Sequence, residues 1–187
     1  VVDPVPVELL ERRVELLGDA TRMGIIQGMN AGAKSYIADL WNMGLSDPAS
    51  ALRAHRNLER AVSNRAAYVG PDGDRHRIDP GSTTRLMVAP RPLHVLHAPG
   101  LPAAFVDLAL FIFQCGKALR LRQGGVYLYL RGVHGHLEAR LWREVVEHLE
   151  EACALPRSTV RVTVVLDNLA AALEADEILF ETMHHSA

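Results

Sequence analysis

The chain has 187 residues, enough for about one domain. Apolar residues make up 49% and charged residues 22%, a balance that supports a buried core and excludes a disordered or collagen-like chain. Twenty Lys and Arg against 22 Asp and Glu leave a net charge of −2, so no global field draws in nucleic acid or an anionic membrane, and neither is expected as a partner. Of the cations, only Lys34 and Lys117 are lysines.

In chain order, Asp3, Pro4 and Pro6 occupy the place of a leader's apolar stretch, which makes the cytoplasm the expected compartment. Apolar runs rich in Val, Ile, Leu and Tyr at Val14–Leu17 and Tyr36–Leu40 read as the first two strands. A helix is expected over Pro48–Asn64, with Asp47 as its N-cap and Pro48 in its first turn. Pro71-Asp72-Gly73 marks the turn of a small hairpin inserted at about residues 66–79. A third strand follows at Arg85–Val88. Ala103–Cys115, interrupted by Asp107, reads as a buried helix, since a membrane span needs roughly 20 apolar residues.

Val126–Leu130 is the fourth strand. Leu137, Leu141, Val145, Leu149 and Cys153 recur every four residues among charged neighbours, describing an amphipathic helix that stops before Pro156. The fifth strand is expected at Val160–Leu166 and a last helix at about Leu169–Thr182. Strands that read as continuous apolar runs, with helices between them, indicate a parallel sheet covered by helices. Cys115 and Cys153 lie in apolar stretches without metal-ligand spacing and read as reduced core cysteines.

Candidate chemistry is sparse. No GxGxxG, P-loop, GxSxG or HExxH occurs, and Gly124-Gly125 precedes a strand instead of following one. His134 and His136 flank Gly135 just after a strand; they read either as metal ligands or as solvated imidazoles at a helix start. His184-His185 reads as a frayed helix end. Arg53, Arg56, Arg60 and Arg65 recur at roughly helical spacing, as a solvated face or a phosphate site. Asp39 and Asp167 end predicted strands, where converging carboxylates could hold Mg²⁺ or, separately, cap the following helices.

Val126-Tyr-Leu-Tyr-Leu130 followed by His136-Leu-Glu-Ala-Arg-Leu-Trp142 resembles the GPYFYLPK strand and ESHLEARLW helix of the shorter, A-type malate synthases. The resemblance extends along essentially the whole chain. Asp3-Pro-Val-Pro6, Arg13-Val-Glu15, Met29-Asn-Ala-Gly-Ala-Lys34 and Ala38-Asp39 resemble that family's DPVP, RRVEI, NALNSGAK and ADFED stretches, and Leu155-Pro-Arg157, Thr163–Leu166 and Asp176–Phe180 its later ones. It implies a (β/α)8 barrel, of which this chain carries about five units as one partial-barrel domain over 1–187. It also implies condensation of acetyl-CoA with glyoxylate: a carboxylate base takes a methyl proton, Mg²⁺ orients the oxo acid, and an arginine stabilises developing charge.

At the positions that carry this chemistry the chain departs from the pattern. Ala89 stands where the resemblance implies the catalytic Arg; Arg91 matches a second Arg, able to take over only if the backbone moved. Asp167 stands for a metal-binding Glu, Trp41 and Asn42 for an acidic pair, and Gly132 for a strand-end Lys. The resemblance puts a further metal-binding Asp and the base beyond position 187. The site expected from sequence is therefore Arg91 as the catalytic cation, Asp167 and Asp39 toward Mg²⁺, and Trp41, Asn42, His134 and His136 toward substrate, with acyl-CoA as co-substrate and a small oxo acid as partner.

The expected function is a divergent malate-synthase-like protein with impaired ordinary activity. Its rival is a non-catalytic scaffold or interaction subunit that keeps the fold. Five strands cannot close a barrel of eight. The 187 residues are expected to be part of a longer protein or, if whole, to associate with themselves or with a complementary chain. An arginine from elsewhere in the chain over position 89 would overturn the expectation of a mouth stripped of its cation.

Overall fold

The computed structural model describes residues 2–41 and 48–187, so the expected cap Asp47 and the candidate Asn42 lie outside the described residues. A 3₁₀ turn (Val7–Leu9) leads into β1 (Glu15–Asp19), α1 (Arg22–Asn30), β2 (Ser35–Asp39) and α2 (Pro48–Val62). A hairpin, β3 (Ala67–Val69) and β4 (Arg75–Arg77), precedes β5 (Arg85–Ala89), and a second ribbon, β6 (Leu96–Ala98) and β7 (Leu101–Pro102), precedes α3 (Ala103–Gln123). Then come β8 (Val126–Leu130), α4 (His136–Ala152), β9 (Val160–Val164), α5 (Leu169–Leu173) and α6 (Ala175–Glu181).

Strands β1, β2, β5, β8 and β9 form one parallel sheet in that order, each followed by helical structure on the way to the next. Asp19 pairs with Asp39, and Asp39 with Ala89, so the strands end together and present a common C-terminal rim. The architecture is α/β, five units of a β/α barrel.

Two apolar clusters lie on opposite faces of the sheet, as the alternation of side chains along a strand requires. Outward, Tyr36, Ala38, Leu86, Val88, Leu128 and Val162 pack under the helices with Leu58, Phe111, Leu119, Trp142 and Val146. Inward, Ile37, Met87, Ala89 and Tyr127 enclose the lumen, and Leu9 of the 3₁₀ turn plugs its lower end. Tyr127 donates its hydroxyl to the Gln123 carbonyl at 2.8 Å and also bonds Glu8, fixing the plug. Burial on both faces is why these strands read as unbroken apolar runs.

Close approach of α1 to the sheet depends on Gly28. A Cβ at that position would fall 2.0 Å from Cδ2 of Tyr36, whose hydroxyl is held by the Asp19 carbonyl at 2.6 Å.

Three expectations need correction. The helix expected to span Ala103–Cys115 runs on to Gln123, where Gly124 adopts the left-handed conformation that ends it; its outer face exposes Phe113 and Leu121. The last helix is two, α5 and α6, separated at Glu174, whose backbone leaves the helical region while its carboxylate accepts from the His136 amide at 2.9 Å. His185 is not a frayed end. It is 3% exposed, its ring is 2.8 Å from the Val160 carbonyl, and residues 185–187 run beside β9 through Val162 N–H to His185 O and Ala187 N–H to Val162 O. The parallel bridge of Val162 to Ser186 thus continues the sheet past its fifth strand.

Candidate functional site

The C-terminal rim carries a cleft of about 340 Å³. Trp41 follows β2; Pro90, Pro92, Leu93 and His94 follow β5; Arg131, Gly132, His134 and Glu138 follow β8; Asp167 follows β9. Parallel β/α sheets place their binding sites at this end, because the loops there alternate freely while the strands fix their origins. Trp41 and His94 meet edge to face with centroids 5.8 Å apart, closing one wall.

The charged centre of the cleft is Arg131, which sequence reasoning missed. From the end of β8 its side chain passes over β5 to Asp39 at the end of β2, with an Nη2–Oδ2 distance of 2.7 Å. Asp39 is 1% exposed, and its other oxygen accepts from the Trp41 amide at 2.8 Å. Because Asp39 is the register partner of Ala89, the guanidinium reaches the very part of the rim where Ala89 ends β5. The rim is therefore not stripped of its cation: an arginine from the adjacent strand end, that of β8, supplies one. The available signal was an Arg directly after an apolar strand, on the side where such folds bind.

Arg91 has a different environment. Strand β5 ends at Ala89, so alternation stops, and between Pro90 and Pro92 the Arg91 side chain turns away from the cleft to α3. It grips Asp107 through Nε at 2.9 Å and Nη2 at 2.7 Å, while its backbone amide donates to the same carboxylate at 3.1 Å. His55 of α2 adds a fourth contact at 3.0 Å. All three residues are buried, and Arg91 does not line the cleft. Burial alone would raise the Asp107 carboxyl, but the hydrogen bonds from His55 and Arg91 and the charge of Arg91 outweigh it and hold the group below the usual carboxylate range. This triad fastens α2, α3 and the β5 loop together.

The two histidines diverge. His134 reaches the cleft, with its backbone amide 2.8 Å and its ring 3.3 Å from Glu138. His136 turns to Glu174, ring nitrogen to oxygen 2.7 Å, and does not line the cleft. They do not share a metal position. The expected carboxylates also fail to converge as free donors: Asp167 lines the cleft and accepts from the Gly132 amide at 3.1 Å and from Asn168 Nδ2 at 3.1 Å, while Asp39 sits below, committed to Arg131. Among the described residues no group of three His, Cys, Asp or Glu is placed to hold a metal ion. A guanidinium beside Asp39 repels a dication, so the donors among the described residues do not fit Mg²⁺, which prefers several oxygen ligands.

Fold and rim together define a β/α-barrel protein with a small, arginine-centred cleft at the strand C-termini. The chain matches the family model "Malate synthase, TIM barrel domain" over residues 87–187. Across its whole length it is 33% identical to a malate synthase of Myxococcus xanthus, and across 97% of its length 33% identical to one of Arabidopsis thaliana. Malate synthase A of Escherichia coli is 29% identical over 97% of the chain. The chain belongs to the malate synthase family. It spans about a third of the length of these relatives, 35%, 34% and 35% respectively. Among the described residues no helix is long and apolar enough to cross a membrane.

Proposed function

We propose that this chain is the rim-bearing part of a divergent malate-synthase-like barrel. In this reading the cleft takes the carboxylate of a small 2-oxo acid on Arg131, for Claisen-type chemistry with an acyl-CoA, at a rate well below that of an ordinary malate synthase. The observation that carries the reading is the Arg131–Asp39 pair: Asp39 holds one edge of the guanidinium, and 28% of the Arg131 side chain stays open to solvent at the cleft. A planar guanidinium with a free edge suits a carboxylate. The same pair supports slow chemistry, because Asp39 offsets part of the positive charge that would stabilise a developing oxyanion, and losing an oriented donor to such a charge typically costs about 10²–10³ in rate. Among the described residues, the carboxylates that the cleft offers a magnesium ion are those of Asp167 and Glu138, too few for its preferred set of oxygen ligands. Trp41, His94 and His134 shape the cleft around the bound acid.

The test is calorimetric titration of glyoxylate and pyruvate into the protein and its Arg131→Ala and Arg131→Lys variants, alongside turnover with acetyl-CoA, glyoxylate and Mg²⁺. The reading expects Arg131→Ala to weaken binding about tenfold or more, since a charge-assisted pair contributes roughly 1.5–3 kcal/mol, with Lys in between. Absence of oxo-acid binding by the parent protein refutes substrate recognition and leaves the scaffold reading. Turnover of many per second refutes the impairment.

A further inference from the structure

On the outer wall, α3 and α4 leave between them a groove of about 600 Å³ that shares no residue with the rim cleft. Leu101, Phe105 and Leu110 line one side and Leu141, Val145 and Leu149 the other, the last three at intervals of four residues and so on one face of α4. Leu101 and Leu141 are 40% and 39% exposed, and the other four are half-buried. The margin of this apolar trough is acidic. Glu144 lies at its edge with 58% of its side chain exposed and meets Arg143 only at 3.9 Å, and Glu151 follows on the exposed side of the same helix.

The groove borders the first half of α3. The second half carries the opposite chemistry: Phe113, Lys117 and Leu121 stand at i, i+4 and i+8 on the same broad face, the two apolar side chains 78% and 85% exposed. Among the described residues neither Lys117 nor the exposed Arg120 forms an ion pair. An apolar and basic helix face thus continues directly from an apolar, acid-edged groove. Contiguous exposed apolar surface of this kind marks a place of association, and a helix bearing apolar anchors one turn apart is what such a groove accepts.

We propose that the occupant of the groove is the second half of α3 from another copy of this chain, the two α3 helices lying antiparallel about a two-fold axis at Phe113. Reversal about that point sets position 117 opposite 109 and position 121 opposite 105. Leu121 of each copy then enters the groove of the other between Phe105 and Leu141, the two Phe113 rings meet at the axis, and Lys117 passes over the small Ala109 to Glu144. The contact is isologous, so it closes at two copies. Opposite charges face each other at both ends, which fixes the antiparallel register. The proposal does not depend on the oxo-acid reading of the rim.

The experiment measures the oligomeric state by sedimentation velocity from about 1 to 200 μM, a range that brackets a weak dimer. It compares the parent with Phe113→Ser, Leu121→Ser, Lys117→Glu and Glu144→Lys, and with an equimolar mixture of the last two. All four positions are exposed, so the core is untouched, and circular dichroism checks that helix content is kept. The parent is expected to dimerise at micromolar concentrations. Each serine variant loses about tenfold or more in association, as for the anchor of an interface. Lys117→Glu and Glu144→Lys each weaken self-association by setting like charges across the contact, and their mixture restores it, because each copy then meets its opposite. A parent that stays monomeric throughout overturns the proposal. Unchanged dimerisation of both serine variants overturns this surface and places the contact elsewhere, for instance at the open strand edges. A mixture no more associated than its components overturns the antiparallel register, and growth beyond two copies overturns the two-fold closure.

Discussion

Replacing Asp107 with Asn tests the account of the buried triad most directly. In the folded chain two carboxylate oxygens accept four donors: the Arg91 amide and Nε on one, Arg91 Nη2 and His55 on the other. Asparagine removes the charge and turns one of the two acceptors into a donor facing donors, so at least two charge-assisted bonds are lost. At roughly 1.5–3 kcal/mol each, this amounts to about 3–6 kcal/mol, which overlaps the range of roughly 3–5 kcal/mol for leaving one partner of a buried pair uncompensated. Urea denaturation at pH 7 should show that loss at unchanged m-value. The carboxyl is held below its ordinary range in the folded state. Its contribution is therefore complete above the unfolded value, about 3.9, and disappears as pH falls through the folded value. The difference between Asp107→Asn and the parent should accordingly shrink below about pH 4. Arg91→Met combined with Asp107→Leu should cost less than Asp107→Asn alone, because neither buried charge remains. A single-variant loss under about 1 kcal/mol, or a double variant worse than the sum of its singles, refutes the reasoning.

Other outcomes follow from the packing. Gly28→Ala drives a methyl into the Tyr36 ring and should cost about 1–3 kcal/mol, measured by thermal or urea unfolding; a neutral result refutes the close approach of α1 to β2. Burial pushes the Cys115 thiol up to about 12, so in the native protein a thiol-reactive chromophore should modify the half-buried Cys153 first and reach Cys115 only on unfolding. Fast stoichiometric labelling of both under native conditions contradicts this. His185→Ala should free the 185–187 stretch from β9, seen as faster amide exchange at Val162 and Ala187, whose hydrogen bonds join the two.

Much of this molecule was legible in its residues because the relevant forces are local. Five apolar runs separated by helical periodicity fix a parallel α/β sheet, since only strands buried on both faces lack alternation. The matched stretches from Asp3 to Phe180 likewise carry the family. Position 89 is an alanine in the lumen whatever surrounds it. The hairpin turn and the long amphipathic α4 are equally local in origin.

Tertiary structure decided which arginine faces the rim. Alternation says nothing once β5 has ended, so Arg91 goes to whichever neighbour satisfies it, and that neighbour is Asp107, 16 residues on in α3. Arg131 and Asp39 are 92 positions apart and meet because β2 and β8 flank the same strand. The split of the last helix likewise depends on Glu174 meeting His136, 38 positions away. Charges settle by pairing through space, whereas strands and helices settle by neighbours along the chain. The sequence thus determined the barrel units and the family, and only the folded arrangement determined where its cations act.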